Sequence, residues 1–212
     1  MTRLRLFSLL IAGAAIAFAS PASATSIGIH VQVNTAPLIG NPAGPFSLDF
    51  ALTDGSGTLA VPNTITIANF GFSGGGPVGS TNLTGGASGS LSSSVTLTDS
   101  AFFFSEFFQQ FTPGTTLSFD VFATTNADAV SPDAFAFAIL DSSLANLPTT
   151  GLGDSLLLVN LTPAAASGIR TGSTTSPAGV TVAAAAIPEP GTLLLVGTGV
   201  IAAVRARRRG RK

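Results

Sequence analysis

The chain has 212 residues, of which only 9% are charged and none is cysteine. This length allows one ordinary domain besides targeting segments, and the lack of cysteine excludes disulfides, thiol catalysis, iron–sulfur clusters and thiolate zinc sites. Between Thr25 and Ile187, nine acidic residues and one base, Arg170, give a net charge of −8. Such a domain repels phosphate backbones, so we expect no nucleic-acid partner.

The first 24 residues have the three parts of a secretory signal. Two arginines form a positive start, an apolar run covers residues 6–19, and Ala22 and Ala24 are the small residues of a signal peptidase site. An N-terminal membrane anchor is the alternative, but the apolar run is short for a spanning helix. We therefore predict a signal peptide at 1–24 that signal peptidase removes on export.

The middle of the chain, residues 25–182, has apolar residues at every second position, as in half-buried strands. About eight short strands separated by Gly, Pro and Asn turns predict an all-β domain, an antiparallel β-sandwich of which the jelly roll is one form. A change of phase at Ala68 and Asn69 predicts a β-bulge. The last strand is expected around Val180 and Val182, and residues 183–187 are expected to form a linker.

One segment, Phe102–Phe111, fits two structures. Its phenylalanines have helical spacing, which favours one turn of helix, while an aromatic edge strand fits equally well. We expect these rings to fill the core, because 14 of the 16 phenylalanines lie in the middle domain. An exposed aromatic binding surface is the alternative.

The last 25 residues also fall into three parts, beginning with Pro188, Glu189 and Pro190. The apolar stretch 191–204 follows and would span about 21 Å as a helix at ~1.5 Å per residue, less than the ~30 Å hydrocarbon core. Such a short helix can still insert by thinning the bilayer, and the bases after it would stay in the cytoplasm. These bases form a basic stop at 205–212: Arg205, Arg207, Arg208, Arg209, Arg211 and Lys212.

This order of parts resembles the PEP-CTERM sorting signal, which is also known as the ice-binding protein C-terminal domain, a name that carries no activity. The resemblance implies export in a Gram-negative bacterium, transient anchoring in the inner membrane, and final release to the cell surface or the extracellular space. It also implies recognition by an exosortase, a membrane protease often linked to exopolysaccharide. The two prolines suit a protease substrate, because they hold Glu189 in an extended segment. A simple membrane anchor is the alternative for 188–212.

The middle domain also resembles a recurrent group of PEP-CTERM proteins of similar length. That resemblance rests on four segments and implies no activity: residues 69–76, 96–99, 111–114 and 132–141.

Few residues suggest chemistry. His30 is the only histidine and lies on the polar face of the first predicted strand, where a solvated side chain is the ordinary outcome. Glu106 is the only glutamate before the tail, so no spacing indicates the carboxylate pair of a glycosidase. Residues 74–79 match a glycine-rich phosphate-binding pattern, but no helix follows them, and we expect a loop as far as Gly89.

A calcium site is the one metal hypothesis that the sequence offers. Asp120, Asp128, Asp133 and Asp141 flank the ends of two apolar strands, and a loop between these strands could gather carboxylate and backbone oxygens. The spacing is not that of an EF-hand, and aspartates are also common turn formers. We expect no cofactor, with calcium as the alternative.

The sequence therefore predicts an exported, non-catalytic protein of the cell surface or extracellular matrix, sorted by an exosortase and associated with exopolysaccharide. The alternative is a secreted hydrolase of polysaccharide or lipid. The scarcity of His and Glu and the absence of Cys and of a G-x-S-x-G motif favour the first function.

Overall fold

A computed structural model of the protein describes residues 26–55, 62–125, 131–162 and 168–187. These residues form thirteen strands and one short 3-10 helix, Ala36–Leu38. The strands are Ser26–Asn34 (β1), Phe46–Thr53 (β2), Thr64–Phe72 (β3), Gly76–Thr84 (β4), Ser88–Gly89 (β5), Val95–Thr98 (β6), Phe104–Thr112 (β7), Thr116–Thr124 (β8), Ala134–Leu140 (β9), Leu157–Asn160 (β10), Ile169–Thr171 (β11), Ser173–Thr175 (β12) and Ala178–Ile187 (β13).

The strands form two sheets in which every neighbouring pair is antiparallel. The seven-stranded sheet has the order β12-β13-β1-β8-β3-β6-β5, and the six-stranded sheet has the order β11-β10-β9-β2-β7-β4. Their inner faces share one hydrophobic core. This arrangement confirms the predicted all-β antiparallel sandwich.

The core is built around Phe50 of β2, which is fully buried. Its ring centroid lies 5.4 Å from that of Phe119 in the opposite sheet and 5.3 Å from that of Phe137 on the neighbouring strand. Since side chains alternate along a strand, the inward position of Phe50 places Asp49 and Ala51 on the outer face of the six-stranded sheet.

The two ends of the sandwich differ in which strands begin and end there. The strand that leads to the C-terminal tail, β13, ends at Ile187 beside Gly28 at the start of β1. The start of β1 pairs with the end of β8, and the end of β8 pairs with the start of β3, so β3 begins at this same end. Asn63, which precedes β3, donates a hydrogen bond to Asp133, which precedes β9, so β9 begins there too. We call it the tail end, and the opposite end the far end.

Most of the segment with ambiguous spacing is strand β7, so the strand alternative is confirmed and the helical one is wrong. The expected edge position is also wrong, because β7 pairs with β2 on one side and with β4 on the other. Phenylalanines four residues apart fit a helix and also one face of a strand, so the spacing could not decide. Phe107 and Phe111 face the core, while Phe104 and Phe108 face outward.

Two segments expected to be irregular are strands. Much of the predicted loop before Gly89 is β4, the edge of the six-stranded sheet, whose mixed exposure hides any alternation. The predicted linker 183–187 is the end of β13, where Ala183 pairs with Gln32 and Ile187 pairs with Gly28. A run of alanines can pair through its backbone hydrogen bonds although its sequence shows no alternation of apolar and polar residues.

The predicted bulge is confirmed. Asn69 has φ 57°, and the register between β3 and β8 shifts between Ala68 and Gly71. The two predicted terminal helices, the signal peptide and the segment 191–204, lie outside the described residues. Within the described residues there is no helix with the length and apolar character needed to cross a membrane.

Candidate functional site

Most of the sequence-predicted site residues lie outside the part that the structure describes. This holds for Ala22 and Ala24, for the sorting motif at 188–190, for the basic stop at 205–212, and for Asp128. The remaining predicted residues are the aspartates at 120, 133 and 141.

Asp120 lies on the outer face of the seven-stranded sheet and already has two side-chain partners. His30 Nδ1 is 2.6 Å from Asp120 Oδ1, and Asn69 at the bulge donates to Asp120 Oδ2 at 2.8 Å. Burial opposes ionisation here, but the hydrogen bonds from Asn69 and His30 outweigh it and lower the pKa of Asp120. His30 thus takes part in an exposed polar contact.

Asp133 lies at the tail end, buried between the two sheets. Its Oδ1 accepts a hydrogen bond from Gly55 N at 2.9 Å, and its Oδ2 accepts one from Asn63 Nδ2. Asp99 accepts a hydrogen bond from the backbone N of the same Asn63 at 2.7 Å. Burial is the largest cause that raises the pKa of Asp99 to about 6; the hydrogen bond from Asn63 opposes it, and the charge of Asp133 adds to it.

Asp141 lies at the far end, in the turn after β9. Its Oδ1 accepts hydrogen bonds from Ser143 N at 2.8 Å and from Ala145 N at 3.1 Å, so it acts as a turn former. The structure therefore holds Asp120, Asp133 and Asp141 in three separate places. Among the described residues, no group of three or more His, Cys, Asp or Glu could hold a metal ion.

A cleft of about 320 Å³ opens on the outer face of the six-stranded sheet. We call it the polar cleft, since hydroxyl and amide groups surround one aromatic ring and one leucine. Strands β2, β4 and β7 and the turn after β9 supply its lining: Ser47, Gly79, Ser80, Asn82, Phe108, Gln110 and Leu144.

A buried carboxyl group lies next to the polar cleft. Asp49 follows Ser47 on the same face of β2 and stands directly opposite Phe108 of β7. It is only 8% exposed, and its Oδ1 has no hydrogen-bond partner among the described residues. Burial, and then the charge of Glu106, raise the pKa of Asp49 to about 7.

The chemistry that this face offers is hydrogen bonding around an apolar ring. The amides of Asn82 and Gln110 each supply a donor and an acceptor, and the hydroxyl of Ser80 can do both. The cleft could not be predicted from the sequence, because its residues are far apart in the chain and β4 was expected to be a loop. The signal that could have found it is the alternation of Phe108 and Gln110 with the core residues of β7.

The comparison with protein families decides what the tail is. The model described as "PEP-CTERM protein-sorting motif" matches residues 186–209. The chain is a PEP-CTERM sorting-domain protein. It is therefore an exported protein that an exosortase sorts and that ends at the cell surface.

The matched motif begins within the sandwich itself. Its first two residues, Ala186 and Ile187, are the last residues of β13. No curated protein and no solved structure matches the chain.

Proposed function

We propose that this PEP-CTERM protein is a non-catalytic surface protein whose sandwich binds exopolysaccharide in the polar cleft, without a metal or other cofactor. In this proposal, signal peptidase removes residues 1–24 and segment 191–204 anchors the chain transiently in the inner membrane. The exosortase then acts on the motif at 188–190 and releases the sandwich.

The observation that carries this proposal is the composition of the polar cleft. Sugar hydroxyls both donate and accept hydrogen bonds, and Asn82, Gln110 and Ser80 match that chemistry. The half-buried ring of Phe108 supplies the apolar surface on which a sugar ring can lie. Ser47 and Leu144 belong to the far end, so the cleft lies away from the tail.

A hydrolase acting on polysaccharide is the second candidate, and one observation favours it. Asp49 and Glu106 are diagonal neighbours on β2 and β7, and a carboxyl group with a pKa of about 7 is suited to act as a general acid. However, a general acid must reach the bond that it protonates. Asp49 is 8% exposed, so its proton is shielded from a sugar in the cleft. This burial favours binding over turnover.

The test is a binding and turnover assay with exopolysaccharide purified from the bacterium that makes the protein. We expect binding without release of reducing ends, and we expect Asn82→Ala with Gln110→Ala to weaken binding about ten-fold, from the loss of two hydrogen bonds. Gln32→Ala, on the exposed face of the other sheet, is the matched control.

Two results would overturn the proposal. Equal binding by the double variant and the wild type would place the polysaccharide elsewhere. Turnover that is lost in both Asp49→Asn and Glu106→Gln would establish the hydrolase.

The sorting steps have their own test. Pro188→Ala with Glu189→Ala should leave uncut protein in the inner-membrane fraction, and deletion of 205–212 should weaken membrane retention. Mass spectrometry of the natural protein reads both ends. A final product that still carries Lys212, in a strain with an active exosortase, would make the tail a permanent anchor.

A further inference from the structure

The exposed aromatic side chains of the sandwich are concentrated at one end. Four phenylalanines are exposed among the described residues: Phe102 (46%), Phe103 (61%), Phe104 (38%) and Phe122 (42%). The first three form the turn into β7, which begins at the tail end, and Phe122 lies two residues before the tail end of β8. Three consecutive exposed rings are unusual on a soluble surface and indicate a contact surface.

Hydrogen bonds fix the turn that carries these rings. Phe102 N donates to Asp99 O at 3.2 Å, and Asp54 N donates to Phe103 O at 2.9 Å. The backbone is therefore held against the sandwich by both sheets, while the rings of Phe102 and Phe103 point into solvent.

The turn itself carries no charge that would oppose a lipid surface. Three acidic residues near it, Asp54, Asp99 and Asp133, are at most 9% exposed. The turn itself, residues 100–103, reads Ser-Ala-Phe-Phe and has no charge. The residues of the turn itself therefore bring no charge that anionic headgroups would repel.

The chain leaves the sandwich for the membrane at the same end. Three residues, Pro188 to Pro190, separate Ile187 at the end of β13 from the apolar segment 191–204. Three extended residues span at most about 11 Å. While segment 191–204 is inserted, the tail end must therefore lie close to the bilayer surface.

We propose that the Phe102–Phe103 turn docks on the outer surface of the inner membrane while the tail anchors the protein. This inference rests on the anchoring role of segment 191–204 in the proposed function. Docking holds the sandwich upright with the polar cleft away from the bilayer. Two rings bury less apolar surface than one acyl chain, whose binding is itself reversible, so docking does not retain the protein after the tail is removed.

The test uses the absence of native cysteine, which allows a single label at any chosen site. Mature protein with its tail is reconstituted into phosphatidylethanolamine–phosphatidylglycerol vesicles that contain quencher lipids. A fluorophore is attached through Ala101→Cys beside the intact rings, through Ser143→Cys at the far end, or through Leu194→Cys in the tail. We expect quenching at positions 101 and 194 and none at 143.

Phe102→Ser with Phe103→Ser should lower the docked population on the order of ten-fold, from the loss of two partly buried rings. Ile39→Ser is the matched control, since Ile39 is 54% exposed at the far end. An unquenched label at 101 beside a quenched label at 194 would overturn docking alone. An unquenched label at 194 would overturn the anchoring role, and docking with it.

Discussion

Asp99 follows a strand of one sheet and Asp133 precedes a strand of the other, yet both carboxyl groups accept hydrogen bonds from the same residue, Asn63, at the tail end. Asn63 lies between them: its backbone N donates to Asp99 Oδ1 at 2.7 Å, and its side chain donates to Asp133 Oδ2. Two negative charges held this close by one residue repel each other, and the charge of Asp133 adds to burial in raising the pKa of Asp99.

The first prediction concerns the ionisation of Asp99. Since the pKa of Asp99 in the folded protein is about 6, above its ordinary value of 3.8, its contribution to stability is full below pH 3.8 and is lost as the pH rises through about 6. Asp99→Asn keeps an oxygen for Asn63 N and removes the charge that burial and Asp133 disfavour at neutral pH. The variant should be more stable than the wild type at about pH 7 and similar to it at about pH 4. Urea midpoints across this range test it; a constant difference would contradict it.

The second prediction compares two aspartates that accept hydrogen bonds in different surroundings. Asp133→Ala removes the buried carboxyl group that accepts hydrogen bonds from Gly55 and Asn63. It should cost about 2–3 kcal/mol, because it leaves the fully buried amide of Asn63 without this acceptor. Asp141→Ala removes an acceptor from a turn whose amides water can reach, and should cost about 1 kcal/mol. Thermal or urea unfolding of both variants measures the difference. Equal losses would mean that burial at the tail end does not strengthen these bonds.

The same two variants test the absence of calcium. If Asp133 and Asp141 are structural, calcium and a chelator should leave the melting temperature of the wild type unchanged. A calcium-dependent increase that Asp133→Ala abolishes would restore the calcium hypothesis.

How far the sequence predicts this fold depends on the strand. β2 and β8 could be predicted, because one face of each is core and their apolar residues recur with period two. β4 could not, because it is an edge strand with little buried surface. The end of β13 could not either, because a run of alanines pairs by backbone hydrogen bonds and has no apolar pattern.

The sites differ in the same way. The sorting motif is contiguous, so reading the sequence from residue 188 onward was sufficient to find it. Asp49 could be placed on an outward face by alternation, but its burial depends on which strands flank β2. β2 lies between β7 and β9, and no local sequence pattern predicts which strands pair with it.

The third prediction concerns the buried carboxyl group beside the polar cleft. The pKa of Asp49 in the folded protein is raised to about 7, so its contribution to stability is lost as the pH rises through about 7. Asp49→Asn should therefore stabilise the protein at about pH 8 and change little at about pH 4. Glu106→Gln removes the neighbouring charge, so it should move the midpoint of this transition to lower pH. A stability curve that Asp49→Asn leaves unchanged would contradict the assignment.

The fourth prediction separates core phenylalanines from surface phenylalanines. Phe50 is fully buried and contacts aromatic rings of both sheets, so Phe50→Ala should cost about 3–5 kcal/mol through lost burial and a cavity. Phe103 is 61% exposed, so Phe103→Ala should change the free energy of unfolding by less than about 0.5 kcal/mol. Chemical denaturation without vesicles measures both. A large loss for Phe103→Ala would mean that its ring serves the fold rather than the membrane.

The last prediction concerns the point where the sandwich meets its sorting motif. Residues 183–187 supply five of the seven residue pairs between β13 and β1. Their deletion should remove backbone hydrogen bonds worth about 1 kcal/mol each and cost on the order of 3 kcal/mol or more.

A five-residue Gly/Ser insertion between Ile187 and Pro188 is the matched control. It adds chain at the same place but keeps every pair, so the free energy of unfolding should stay within about 0.5 kcal/mol of the wild type. Equal unfolding curves for the deletion variant and the wild type would mean that residues 183–187 do not stabilise the fold and serve only as a linker. With the pairing intact and the tether lengthened, the insertion should also reduce quenching at position 101, because Ile187 no longer holds the tail end at the bilayer.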